Sequence, residues 1–221
     1  MKHRIGRLSH FAAWILASAL LVTPAAPAAE PLFQEDFSQR DLGEVPDDYI
    51  VIAGYSMAVR ELDGNRFLEI PEAPVESYGL MFGPARREDW SAQARFYGTR
   101  LGRKFPAFGI SLNTVNGYRL QVAPAKRALE ILKGDLVQTS IPFEWQSGSW
   151  THLRIQLRKT GDATWTVSGR AWTEGTPEPD TWHIEWEETT APIPGRAIVW
   201  GMPFSGTPIR VDDIRIFPLA H

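Results

Sequence analysis

His183, Glu185 and Glu187 occupy alternate positions near the C-terminus. On a β-strand they would share one face, with successive members roughly 6.5 to 7 Å apart, a separation that suits paired carboxylates acting as general acid and base across a glycosidic bond. A solvated strand face shows the same alternation and is the other reading. A second row, Gln93, Arg95 and Tyr97, offers recognition instead. A tyrosine ring can stack on a pyranose, while arginine and glutamine give fixed donors to hydroxyls or carboxylates. Arg119 and Gln121 would widen that row if their strand lay beside it. A third constellation joins the chain ends. Glu35 shares its parity with Phe33 and Phe37, and Asp212 and Asp213 stand where the apolar parity changes from Ile209 and Val211 to Ile214 and Ile216. Such a phase slip reads as a β-bulge, and carboxylates beside turned carbonyls make a candidate calcium site. Pairing with Arg210 or Arg215 is the competing use of those acids. No H-E-x-x-H, G-x-S-x-G or phosphate-binding glycine loop occurs.

The elements that must position these residues are strands. Apolar alternation recurs about every ten residues, with Gly and Pro punctuation and no sustained 3.6-residue period. Fourteen strands are expected, among them Leu32–Phe37, Trp90–Thr99, Tyr118–Ala123, Thr151–Arg158, Thr164–Trp172, Trp182–Glu187 and Ile209–Phe217. So many short strands predict an all-β, antiparallel two-sheet β-sandwich, because one open sheet curls or splits beyond about ten strands. Parity points Trp90, Ala92, Ala94 and Phe96 to the core, together with Tyr118, Leu120 and Val122, then Leu153, Ile155 and Leu157, and then Trp182, Ile184 and Trp186. Pro177 and Pro179 cannot join a ladder, so the segment between Trp172 and Trp182 is a loop, with the tryptophans expected to cover one end of the core.

Residues 1–28 have the pattern of an export signal. Lys2, Arg4 and Arg7 precede an apolar run from Phe11 to Val22, and Ala26-Pro27-Ala28 supplies small residues for cleavage. Residues 29–221 are then expected to form one domain, in the periplasm or outside the cell, with no membrane contact after cleavage. The formal net charge is −3, and losing the three leader cations would make it −6. An acidic chain without a Lys/Arg run argues against nucleic acid as a partner. With no cysteine, stability must come from core burial rather than disulfides.

Trp150-Thr-His-Leu-Arg-Ile, the run from Val167-Ser-Gly to Trp172-Thr-Glu-Gly and on through Pro177 and Pro179 to Trp182, and the closing Asp212-Asp213-Ile-Arg-Ile together carry a resemblance. In this order they resemble the concanavalin A-like lectin/glucanase (laminin-G-like) jelly rolls of secreted bacterial proteins, over the whole mature chain. The resemblance implies a jelly roll and a polysaccharide or oligosaccharide partner. It does not extend to the glucanase machinery of that fold. Glu178-Pro-Asp180-Thr-Trp-His183 is the nearest approach to E-x-D-x-x-E and lacks its last glutamate. The expectation is therefore a non-catalytic carbohydrate-binding or cell-envelope-associated sandwich. A glycoside hydrolase or polysaccharide lyase using Glu185 and Glu187, and a structural or protein-binding module, are the two rivals.

Overall fold

The computed structural model describes residues 30–54, 56–72 and 77–219. The leader expected over residues 1–28 lies outside the described residues. The strands are β1 (Phe33–Glu35), β2 (Gly43–Glu44), β3 (Ile50–Ala53), β4 (Ala58–Leu62), β5 (Asn65–Ile70), β6 (Tyr78–Arg86), β7 (Trp90–Tyr97), β8 (Ala107–Leu112), β9 (Tyr118–Ala123), β10 (Ala128–Lys133), β11 (Leu136–Pro142), β12 (Trp150–Gly161), β13 (Thr164–Thr173), β14 (Ile184–Glu188), β15 (Gly195–Met202) and β16 (Ile209–Pro218). Two of them, β2 and β3, exceed the fourteen expected. The first is a two-residue pairing, and the second is an unbroken apolar run with no alternation to reveal it. Among the described residues no helix is long and apolar enough to cross a membrane.

All pairings are antiparallel and divide the strands into two sheets. One has nine strands in the order β14-β13-β12-β7-β16-β5-β4-β2, with β1 also on β16; the other has seven in the order β11-β10-β9-β8-β15-β6-β3. The expected two-sheet sandwich is what forms. Its last strand is central. One edge of β16 pairs with β7, while the other is shared, Ile209 to Val211 facing β5 and Ile214 to Ile216 facing β1. The register shift between Asp212 and Arg215 lies at the changeover, and Asp213 has φ +50°. This is the bulge that the phase slip predicts: an extra residue lets both halves of β16 keep their apolar side chains inward.

The core lies between the sheets. Trp90, Ala92, Ala94 and Phe96 of β7 are fully buried, as are Leu153, Ile155 and Leu157 of β12, Val167 of β13 and Leu120 and Val122 of β9. Phe96 stacks on Phe108 across the gap, with ring centroids 5.1 Å apart. Gly169 is required here, because a Cβ at that position would stand 2.4 Å from Leu120 Cδ1 of the opposing sheet. Trp182 departs from the expected inward row. Strand β14 begins only at Ile184, and the Trp182 ring lies under the Arg170 guanidinium, 4.5 Å away, outside the sheet. The row continues instead to Glu188, which joins the sheets. Its Oε2 accepts from Tyr118 Oη (3.0 Å) and lies 2.6 Å from Lys133 Nζ, while Oε1 accepts from the Thr190 N–H (2.7 Å). Burial pushes this carboxyl up, but the bonds from Lys133, Thr190 and Tyr118 outweigh it and hold the group below its ordinary value.

Two outcomes follow. Ile155→Ala, which empties a fully buried position, should lower unfolding free energy by about 2 to 5 kcal/mol in urea titrations. Because Glu188 has a depressed folded-state value, its stabilisation is present above the unfolded value of 4.5 and is lost as pH falls through the folded value. Melting temperatures of Glu188→Gln should therefore fall less steeply than those of the parent between neutral pH and pH ~3. Parallel acid limbs would remove Glu188 from the list of stabilising ion pairs.

Candidate functional site

Cross-strand register decides which side chains meet on the outer face of the nine-stranded sheet. Tyr97 stands opposite Trp150 on one side and Arg210 on the other, Arg95 opposite His152 and Asp212, and Gln93 opposite Arg154 and Arg215. Arg95 is the hub. Its Nη2 donates to Asp212 Oδ2 at 2.6 Å, its Nε lies 2.9 Å from Asp213 Oδ2 without hydrogen-bond alignment, and its guanidinium sits 4.5 Å over the Trp150 ring. Asp212 is only 1% exposed. Its Oδ2 also accepts from Asn65 Nδ2 (3.0 Å), and Oδ1 accepts from the Asp213 N–H (2.7 Å). Burial pushes the Asp212 carboxyl up from its ordinary value, against the Asn65, Arg95 and Asp213 bonds that favour its charged form.

Two openings flank this cluster and share Asn65 and Arg95. One, of about 400 Å³, is bordered by Ser38, Glu61, Gly64, Arg66, Asp212 and Asp213; the other, of about 310 Å³, by Leu62, Asp63, Phe67, Trp150 and Arg210. Trp150 lies 6.5 Å from Phe67 and 5.7 Å from Tyr97, and Arg210 covers both Phe67 (4.9 Å) and Tyr97 (5.0 Å). The result is a groove with the half-buried Trp150 ring, backed by Phe67 and Tyr97, at one end and a carboxylate, amide and guanidinium cluster at the other. Such a groove can stack a ring and exchange hydrogen bonds with its hydroxyls.

The loop from Trp172 to Trp182 folds over the same face. Glu174 Oε2 lies 2.6 Å from His152 Nε2 and 3.8 Å from Arg95 Nη1, and the Trp172 ring stacks on His152 at 5.0 Å. Glu178 Oε1 is shared by Arg154 (3.1 Å) and Arg170, and Arg170 also donates to the Pro179 carbonyl. Arg154 and Arg170 are direct cross-strand partners, so Glu178 neutralises a like-charged pair. Both tryptophans thus dress the outer face rather than capping the core.

The sequence expectations divide accordingly. Gln93, Arg95 and Tyr97 share the outer face of the nine-stranded sheet, although Gln93 is only 9% exposed. Arg119 and Gln121 do not join them. Strand β9 belongs to the seven-stranded sheet, where Arg119 lies 5.1 Å over Trp200 and 3.3 Å from Asp135, and Gln121 donates to Glu130. Alternation assigned the right side of each strand but not the sheet. The three carboxylates of the expected calcium seam do not share a face. Glu35, opposite Ile214, turns toward the core side, where Arg40 Nε (2.7 Å), Tyr49 Oη (3.0 Å) and the Phe37 N–H (2.7 Å) engage it, whereas Asp212 and Asp213 serve Arg95 on the other face. Among the described residues no three His, Cys, Asp or Glu side chains group as metal ligands.

Glu185 and Glu187 are exposed on an edge strand, opposite Ser168 and Thr166 rather than another acid, and Glu185 accepts from Ser168 Oγ at 2.8 Å. His183 precedes that strand and accepts from the Ala171 N–H at 3.4 Å; burial, then Arg170, pushes its imidazole down. Sequence reasoning missed Asn65, Trp150, Glu174 and Glu178 as site residues. The two glutamates were detectable as acids two and six residues beyond Trp172, facing arginines at alternate positions of the preceding strands.

No known family matches the sequence, and no curated protein matches it. Solved structures do resemble the fold. The carbohydrate recognition domain of Emp47p superposes with a TM-score of 0.56 at 11% identity, covering 90% of this chain and 100% of that one. The carbohydrate-binding module CBM66 of Bacillus subtilis gives 0.52 at 8% identity, covering 77% and 95%. A chain described among endo-acting O-glycanases that prominent human gut microbiota express to initiate mucin breakdown gives 0.57 at 12% identity, covering 86% and 100%. At such identities the likeness shows the jelly-roll sandwich fold alone.

Removing Arg95 should expose how far the groove depends on it. Arg95→Leu leaves Asp212 buried without its cation and should cost about 3 kcal/mol in denaturant unfolding, and adding Asp212→Asn should return part of that loss. Strictly additive losses in the two single variants would mean that the pair is not energetically coupled.

Proposed function

We propose that this protein is a carbohydrate-binding β-sandwich that holds an oligosaccharide along the Arg95 groove and does no chemistry on it. One observation carries the reading: the Trp150 ring, backed by Phe67 and Tyr97, meets the Asn65, Asp212 and Arg95 cluster along two adjoining openings. A pyranose offers an apolar face to an aromatic ring and hydroxyls at its rim. The side of the Trp150 ring that Arg95 does not cover would take the face. Asn65 would donate and accept, Asp213 would accept, and Arg95 would hold Asp213 and the buried Asp212 in place. An open groove of two compartments suits the middle of a chain better than a single sugar. Two of the structures of similar fold are described as carbohydrate-recognising domains, which supports the reading by analogy of fold.

The finer parts of the proposal are export, removal of residues 1–28 and membership of the concanavalin A-like group; they rest on the leader pattern and on the motif order around Trp150, Trp172 and Asp212. The hydrolase or lyase reading loses support from the placement of Glu185 and Glu187 on an open strand edge without a facing acid.

A glycan array on the purified protein, followed by titration of each hit, tests this. Trp150→Ala and Asn65→Ala should each weaken binding at least about tenfold, a loss of roughly 1.4 kcal/mol, without changing the fold. Incubation with the same glycans should release no new reducing ends. Release that Glu185→Gln abolishes would instead establish the enzymatic reading. An array without hits would favour a structural or protein-binding module.

A further inference from the structure

A different cavity, at the end of the sandwich where the β7–β8 and β11–β12 loops meet, has a chemistry of its own. It holds about 390 Å³ between Arg100 and Phe105 of the first loop, Arg127 of the turn before β10, and Phe143, Trp145 and Ser147 of the second loop. The walls are tied together by the backbone. The Phe143 N–H donates to the Arg127 carbonyl (2.9 Å), the Gly148 N–H to the Gly98 carbonyl (2.9 Å), and the Arg100 N–H to Ser147 Oγ (3.0 Å). Phe143 and Trp145 pack on the core, and Trp145 meets Phe108 edge to face at 6.2 Å. The cleft is therefore formed before any ligand arrives.

Its polar groups are unspent. Trp145 Nε1 is buried and finds no acceptor among the described residues. A buried donor left unmade costs free energy, and a ligand oxygen relieves it once a small turn of the indole uncovers the N–H. Arg100 and Arg127 are exposed, and neither forms an ion pair among the described residues, in contrast to Arg95, Arg154 and Arg170, whose guanidiniums already meet the chain's own carboxylates. Arg103 and Lys104 add charge on the same loop as Arg100, whereas Lys126, next to Arg127, is paired with Glu130 at 2.9 Å. Glu144, also at the cleft, is the opposing charge there. In a chain with a formal net charge of −3 this end is a local surplus of cations around aromatic walls.

We propose that this cleft is a second saccharide site, separate from the Arg95 groove and selective for a sugar residue that carries an anionic group, a carboxylate or a sulfate. The anion lies between Arg100 and Arg127, where guanidinium forks fit its oxygens. The apolar face of the ring rests on Phe105 or Phe143, and a ring or hydroxyl oxygen accepts from Trp145 Nε1.

Calorimetric titration of the purified protein with a uronate trimer, a sulfated oligosaccharide and a neutral trimer, each at low and at physiological salt, tests this. At least one anionic oligomer should bind more tightly than the neutral one, and more weakly as salt rises. Arg100→Gln/Arg127→Gln, which alters only exposed side chains, should weaken it about tenfold or more, and Trp145→Phe, which keeps a ring but removes the N–H, about threefold or more. Which anionic oligomer responds identifies the source of the anion. Trp150→Ala, in the other groove, should leave this binding unchanged, so the two sites fail or succeed separately. No binding of either anionic oligomer, equal binding of the neutral one, or indifference to the arginine changes would overturn the second site.

Discussion

The outer face of the nine-stranded sheet is organised by the need to keep a charge at Asp212. A carboxylate that is almost completely buried loses its hydration and must be compensated on the spot. Compensation arrives from three directions: Arg95 from β7, Asn65 from the start of β5 and the N–H of its own neighbour Asp213. Each donor has a structural consequence. Arg95, drawn to the carboxylate, lies over Trp150 and fixes that ring beside Tyr97 and Phe67. Asn65 brings the β4–β5 turn to the groove. The Asp213 bond stabilises the left-handed residue that makes the bulge, so the irregularity in β16 and the geometry of the groove have one electrostatic origin.

The rest of that face is governed by arginines that the sheet alone does not neutralise. Arg154 and Arg170 face each other across a strand pair, an arrangement that costs free energy unless an acid is inserted. The β13–β14 loop provides Glu178 for this pair and Glu174 for His152 and Arg95. Its prolines keep it out of the ladder, and its tryptophans lie against the same cationic surface. The loop is therefore a charge-matched cover whose position is dictated by the strands beneath it. At the sandwich end Glu144 is near the cleft, but Arg100 and Arg127 form no ion pair among the described residues and stay open to solvent.

Much of this was legible in the chain. Alternation assigned the buried faces of β7, β9 and β12 correctly because each side chain's orientation depends only on its own strand. The bulge was legible for the same reason, since a change of parity within β16 needs an extra residue. Pairing partners were not legible. Arg119 and Gln121 have the parity of Arg95 and Tyr97 but belong to the other sheet, and nothing local to β9 records that choice. Glu35 followed its phenylalanine neighbours inward, as its parity implied, and this separated it from the aspartates. Asn65 reads as part of an Asp-Gly-Asn turn, and its role appears only when β16 passes beside it. Trp182 departs from its parity because the proline-rich loop runs on past it and the strand starts only at Ile184. Glu188, continuing the parity of Ile184 and Trp186, was a readable sign of a buried acid with a partner.

The shared edge of β16 also bears on how the chain reaches this structure. Arg95 and Asp212 are 117 residues apart and Asn65 and Asp212 are 147 apart, while β1, near the start of the described chain, pairs with the last strand. Hairpins such as β12–β13 can close early because their loops are short. The middle of the nine-stranded sheet cannot close, because β7, β5 and β1 all lack a neighbour until the final ten-residue strand is available. Such nonlocal closure is slow, and it leaves unpaired edges exposed while it waits. Loss of even a short C-terminal stretch would thus act less like trimming a tail than like removing a keystone, leaving a chain with most of its core residues and no means of joining its two halves.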